Sequence, residues 1–178
     1  LLQIEQQLAA HPLFSSGLIH GLRIPGLWNS WEAGVRAILG QQVSVAGART
    51  QLNRLVQALG TEFAEGKTLF PSPETVLGSE LQMIKVPALR RQTLRDLAAF
   101  VLAEPDASPQ RWLSIKGIGP WTVNYARMRG LGESDIWLAG DLGIQKALVR
   151  NQQTAADNAG LAPWRSYATF QLWCQTGG

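Results

Sequence analysis

Leu113-Ser114-Ile115-Lys116-Gly117-Ile118-Gly119-Pro120-Trp121-Thr122 reads as the end of one helix, a glycine-pinched turn and the start of a second helix. Gly117 and Gly119 allow backbone angles that a Cβ would forbid, so the turn can be very tight. Pro120 suits the first turn of the new helix, where its missing N–H would have no partner within the helix. Such a turn offers N–H groups at a helix N-terminus and so favours an anion without any side-chain charge. The same segment is followed by an acid, Asp141, and the combination is more specific than a lone Gly-x-Gly.

On either side of the turn the spacing of apolar residues is helical. Leu52, Leu55, Val56 and Leu59 recur with helical spacing and Gly60 closes them. Leu94, Leu97, Ala98, Val101 and Leu102 repeat the pattern before the break at Glu104-Pro105-Asp106. Asn29 or Ser30 can cap a helix through Trp31, Val35, Ile38 and Leu39. Ser108-Pro109 opens the helix before the turn, and Pro163-Trp164 opens a last one through Tyr167, Phe170 and Trp173. The expectation is an all-α chain of nine or ten short helices with no sheet. Pro71-Ser72-Pro73 and 104–109 are loops within a domain, and the polar stretch 151–160 carries little pattern.

Composition narrows the partners. The chain has 178 residues, 46% of them hydrophobic, enough for one core or two small lobes. No apolar run is long enough for a bilayer, and no signal peptide is visible, so no membrane partner is expected. The missing initiator Met suggests a fragment or a trimmed chain. Cys174 alone rules out an internal disulfide framework or a four-cysteine metal or iron–sulfur site, and fits a reducing cytoplasm. Net charge is +3. Residues 81–130 hold Lys85, Arg90, Arg91, Arg95, Arg111, Lys116, Arg127 and Arg129 against Asp96, Glu104 and Asp106, so basic surplus gathers around the turn.

Several side chains can carry chemistry. Asp141, just after Gly140, reads as an N-cap for a helix with Ile144, Ala147 and Leu148. It also reads as a carboxylate that orients water and offsets positive charge developing on a sugar, and one residue can do both. Trp121 occupies the place just after the turn where a Schiff-base chemistry would use an amine. Lys116 precedes the glycines, where it reaches phosphate or solvent, so hydrolysis by water is the expected chemistry. Trp121 and Tyr125 share a helix face, and with Trp173 they could form an electron-rich slot for a cationic ring. Core packing is the ordinary role for most of the seven tryptophans. Gln41 and Gln42 form a helix-to-helix turn, by itself a solvated loop and near DNA able to fill the gap left by an extruded base. His11 and His20 read as surface or helix-end residues, not a metal pair.

These residues resemble the helix-hairpin-helix DNA glycosylase superfamily, and within it the 3-methyladenine DNA glycosylase II (AlkA) type. The markers are Val35-Arg36-Ala37-Ile38-Leu39-Gly40-Gln41-Gln42-Val43-Ser44-Val45, the turn 117–122, Asp141, and Pro163-Trp164-Arg165-Ser166-Tyr167-Ala168. The likeness runs from Leu22-Arg23-Ile24-Pro25-Gly26 to Trp173, treating 1–178 as one glycosylase domain with its hairpin at about 108–130. It implies a two-lobed all-α fold with DNA and the damaged base in a cleft between lobes. It also implies a monofunctional enzyme, most simply a monomer, that flips alkylated bases of the 3-methyladenine and 7-methylguanine class out of duplex DNA. It makes Asp141 the catalytic carboxylate, and Trp121, Tyr125 and Trp173 the base pocket. Gln42, with Gln41 beside it, falls at the wedge, and Gly117, Ile118, Gly119 and Thr122 hold DNA phosphate. No cofactor is required, though carbonyls of Ile115 and Ile118 could hold Na+ or K+.

The chain departs from the type at several points. The β-rich N-terminal domain expected from such relatives does not lie within these residues, which leaves truncation and a shorter subfamily both open; Pro120 stands where a basic residue is common, and Ala139 where a proline is frequent. Gln42 stands where a leucine wedge is found in close relatives. Two rival readings are a bifunctional oxidised-base glycosylase/lyase and a non-catalytic helix-hairpin-helix damage-sensing module. Asp141 speaks against the module and Trp121 against the lyase.

Overall fold

A computed structural model describes residues 1–154 and 158–176 and divides the chain into two compact units. One is continuous, 27–126; the other joins 1–26 to 127–178. Ala155, Ala156 and Asp157 of the polar stretch lie outside the described residues.

The continuous unit holds α2 (Ser30–Gly40), α3 (Val45–Leu59), α4 (Pro73–Leu77) and α5 (Ala88–Ala103), following α1 (Leu2–Ala9) of the other unit. The start of α6 (Pro120–Gly130) also belongs to it. Asn29, not Ser30, caps α2, its Oδ1 accepting the Glu32 amide at 2.9 Å. Ile38, Leu39, Leu55, Leu94, Leu97 and Trp112 fill its core. The helix opened by Ser108-Pro109 is present, as a 3-10 helix, Pro109–Ser114. The expectation of no sheet needs correcting. A small antiparallel sheet exists: β1 (Thr61–Ala64) pairs with β2 (Lys67–Leu69). Every residue of both strands is exposed, so no alternation of buried and exposed positions betrays them. The readable signal was the Glu65-Gly66 turn between Thr- and Phe-containing segments.

The discontinuous unit contains α1, a 3-10 helix at Pro12–Phe14, α7 (Leu142–Arg150), a 3-10 helix at Ala159–Leu161 and α8 (Arg165–Thr176). Ile4, Leu8, Leu13 and Phe14 from the N-terminal segment pack with Ile144, Leu148, Leu161, Ala168 and Leu172 in its core. Polar contacts reinforce this long-range closure. Gln171 accepts the Ile19 amide at 2.9 Å and donates to the Ile19 carbonyl at 2.8 Å. Gln7 donates to the carbonyls of Gly160 and Ala162 at 2.9 and 2.6 Å. His11 caps the first 3-10 helix, and exposed His20 faces Glu5 at 3.0 Å.

Candidate functional site

In the discontinuous unit, Asp141 is the N-cap of α7. Its Oδ1 accepts the amides of Gly143 and Ile144 at 2.8 and 3.1 Å, and the Trp173 indole N–H at 2.9 Å. Three donors on one oxygen fix the carboxylate plane, and the N-terminal end of α7 favours its negative charge. Both sequence readings of Asp141 therefore start from one geometry: a cap that is also held rigidly. Gly143 makes the packing of that geometry possible. A Cβ there would sit 3.0 Å from Asp141 Oδ1 and 3.2 Å from Trp173 Cδ1. Trp173 meets Phe170 edge-on at 5.1 Å, and the Arg129 guanidinium lies 5.2 Å from the Phe170 ring while donating to the Pro25 carbonyl.

The loop that delivers Asp141 is stitched to the start of α8. Arg165 Nε and Nη2 meet the two oxygens of Asp135 at 2.6 and 2.7 Å. That guanidinium holds the Asp135 carboxyl below its ordinary value, outweighing the opposing effect of partial burial. Ser166 is fully buried; its hydroxyl donates to the Glu133 carbonyl at 2.6 Å and accepts the Ile136 amide at 2.9 Å. Asp135, Arg165, Ser166 and Gly143 were not singled out from the sequence. The signal available was Arg165-Ser166 inside a recognisable block.

In the continuous unit, the hairpin is held from two sides. Gly117 has φ +91°, and a Cβ on it would lie 2.4 Å from Thr93 Oγ1, so glycine is required on both counts. The Thr93 hydroxyl lies 2.9 Å from the Lys116 carbonyl and 3.0 Å from that of Leu89, its single proton shared between them. Ile118 donates its amide to the Ile115 carbonyl at 3.1 Å, and Val123 closes the first turn of α6 onto Gly119 at 3.2 Å. Thr122, named as a phosphate ligand, is 1% exposed, so its side chain faces protein and only its backbone amide remains for that role. Gln41, named with the wedge, has its amide committed to the Gly117 carbonyl and Thr122 Oγ1, both at 3.1 Å. Gln42 differs: it is exposed and its φ is +56°.

The aromatic set expected from the sequence divides. Trp121 and Tyr125 stack at 5.3 Å and 29° on α6, within the continuous unit, while Trp173 accompanies Asp141 in the other. The basic surplus is also thinner than its count. Arg95 pairs with Glu80, Arg111 with Glu104, and Arg127 with Glu133, whereas Lys85 and Lys116 are exposed. Among the described residues no group of three or more His, Cys, Asp or Glu could hold a metal ion, and no helix is long and apolar enough to cross a membrane.

No protein-family model matches the chain. Solved structures do. It superposes on 3-methyladenine DNA glycosylase Mag1 of Schizosaccharomyces pombe, in complex with abasic DNA, with a TM-score of 0.78 at 22% identity over 99% of this chain and 97% of that one. An 8-oxoguanine glycosylase/lyase of Clostridium acetobutylicum superposes with a TM-score of 0.76 at 13% identity, over 99% of this chain and 70% of that one. The fold is therefore that of the helix-hairpin-helix DNA glycosylases. In sequence, the chain is 34% identical to a probable bifunctional transcriptional activator/DNA repair enzyme AlkA of Mycobacterium tuberculosis, over 88% of this chain and 36% of that protein. It is 33% identical to DNA-3-methyladenine glycosylase 2 of Escherichia coli, over 88% of this chain and 61% of that protein. In sequence the chain is thus similar to the AlkA, 3-methyladenine DNA glycosylase type of that superfamily. It spans less than two thirds of the length of these two relatives.

Proposed function

We propose that the chain is a monofunctional DNA glycosylase that hydrolyses the N-glycosidic bond of alkylated bases, of the 3-methyladenine and 7-methylguanine class, in base excision repair. The observation that carries this reading is Asp141 at a helix start, its Oδ1 fixed by two amides and the Trp173 indole. Kinship with the glycosylase of E. coli supports it. N-alkylation places positive charge on a purine and makes it a good leaving group, so little acid catalysis is needed. The glycosidic bond breaks with its electron pair departing on the base. The Asp141 carboxylate stabilises the oxocarbenium-like sugar, and a water adds to the anomeric carbon while losing a proton.

Around that step the other residues have ordinary physical tasks. The stacked pair Trp121 and Tyr125 offers π faces suited to an electron-poor base, and in the other unit Trp173 offers one beside Asp141. Backbone amides of Gly117, Gly119 and Thr122 grip the phosphate of the damaged strand, while the Ile118 amide, expected to join them, is taken by the Ile115 carbonyl. Gln42 fills the space left by extrusion, which costs a few kcal/mol and least at a damaged pair. A monovalent cation fits this hairpin as a second positive element. Thr93 and Gln41 tie the Lys116 and Gly117 carbonyls, and the Ile115 and Ile118 carbonyls are the ones proposed to hold the ion. The Ile115 oxygen accepts one amide and keeps a second lone pair. The proposed setting is a monomer on duplex DNA in the cytoplasm.

Incubation with methylated duplex DNA tests the reading. Free 3-methyladenine or 7-methylguanine should appear, leaving an intact strand bearing an abasic site and no borohydride-trapped protein–DNA adduct. Trapping would establish the lyase alternative, and tight binding of an abasic analogue without base release would establish the damage-sensing module.

A further inference from the structure

Gln41 and Gln42 are neighbours at the turn between α2 and α3, yet the structure gives them different surroundings. Gln42 is exposed and its backbone is left-handed at φ +56°, an arrangement uncommon for a side chain of this kind. Gln41 has two amide N–H bonds and both are used. One meets the Gly117 carbonyl inside the glycine turn, the other the Thr122 hydroxyl oxygen in the first turn of α6, each at 3.1 Å. Withdrawing this amide would leave the Gly117 carbonyl to solvent and take a donor from the Thr122 hydroxyl, and Thr122 is 1% exposed, so water is a poor replacement there. On the opposite side of the turn Thr93 holds the Lys116 carbonyl.

We infer that Gln41 is a positioning residue: a brace that fixes the turn carrying Gln42 to the backbone-gripping hairpin, so that wedge and grip meet DNA in one register. The DNA part of this inference rests on the glycosylase reading; the brace itself does not. Gln41 is then not half of a two-residue wedge. Its amide is directed inward to the hairpin, and Gln42 alone at this turn is placed for the duplex gap. The brace also accounts for a polar residue directly after the apolar run Ala37-Ile38-Leu39 that ends α2, where the C-cap amide of Gln41 itself bonds Ile38 at 3.4 Å.

The test compares Gln41→Met, which keeps length and removes both donors, with Gln41→Glu, Gln42→Ala and the Met/Ala double variant. Hydrogen exchange without DNA reads the brace directly. In Gln41→Met, protection should fall together in 41–45 and 116–123 while α8 keeps its own. Gln41→Glu turns an acceptor toward the Gly117 carbonyl and should give the same pattern there if Gln41→Met proves poorly folded. On DNA, each single variant should lower the preference for a tetrahydrofuran abasic analogue over undamaged duplex by about tenfold. The double variant should lower it by little more than either alone, because an unregistered wedge has little left to lose. Unchanged exchange in 116–123, or single effects that multiply in the double variant, would overturn the brace. Absence of base release by the wild-type chain, with exchange and coupling as expected, would instead overturn the excision reading and leave the brace standing.

Discussion

The two clusters of this molecule are built on opposite plans. The hairpin in 27–126 is held by its own backbone geometry plus two side chains, Thr93 and Gln41, aimed at its carbonyls. The Asp141 cluster is instead a side chain held by donors: one carboxylate oxygen accepts two α7 amides and the Trp173 indole N–H, in a unit closed by Gln171 on Ile19, 152 residues apart. A turn of the first kind grips by position and tolerates no change of backbone. A carboxylate of the second kind is tuned by its neighbours, so substitutions there should alter rate more than stability.

The sharpest contrast is between the two glycines. Gly117→Ala combines a left-handed φ with a contact of 2.4 Å to Thr93, and should cost about 3 kcal/mol in urea denaturation. A variant as stable as wild type would show that the hairpin is not pinned as described. Gly143→Ala, in the first turn of α7, faces 3.0–3.2 Å contacts with Asp141 and Trp173 but gains helix propensity. Its stability should stay within about 1 kcal/mol of wild type while the excision rate drops severalfold. A fall in stability with the rate intact would reverse the contrast.

A smaller perturbation isolates the indole hydrogen bond. Trp173→Phe keeps an aromatic ring and removes the donor to Asp141, and should slow single-turnover excision about tenfold with DNA affinity unchanged. An unchanged rate would mean that the α7 amides alone orient the carboxylate. The least effect is expected from the stitch at α8. Arg165 lowers the folded-state value of Asp135, so the pair stabilises fully above the ordinary carboxyl value of about 4 and is lost as pH falls through the lower folded value. Asp135→Asn should therefore flatten the acid limb of the stability profile below about pH 4 and lower stability modestly at neutrality. An acid limb identical to wild type would remove this pair from the account.

Much of this was legible in the sequence because the relevant signals are local. The Gly117-Ile118-Gly119-Pro120 turn, the Asn29 cap, the Gly140-Asp141 cap and the helical spacings all act within a few residues of themselves. The exposed hairpin of β1 and β2 escaped because a strand with no buried face leaves no periodic trace. The 3-10 form of 109–114 escaped because apolar spacing over six residues does not separate it from an α-helix. The roles of Gln41, Ser166 and the Asp135–Arg165 pair were hidden for a different reason. Each is defined by a partner 30 to 81 residues distant, and no pattern around the residue itself names that partner.

On the proposed function, Asp141, held in place by its cap and the Trp173 indole, is the group that works on the sugar. The direct measurement is single-turnover release of 3-methyladenine from methylated duplex DNA by wild type and Asp141→Asn, alongside their affinity for an abasic analogue. Asp141→Asn should lose about 10³-fold in rate with affinity within about threefold of wild type. Base release by Asp141→Asn at the wild-type rate would contradict that role.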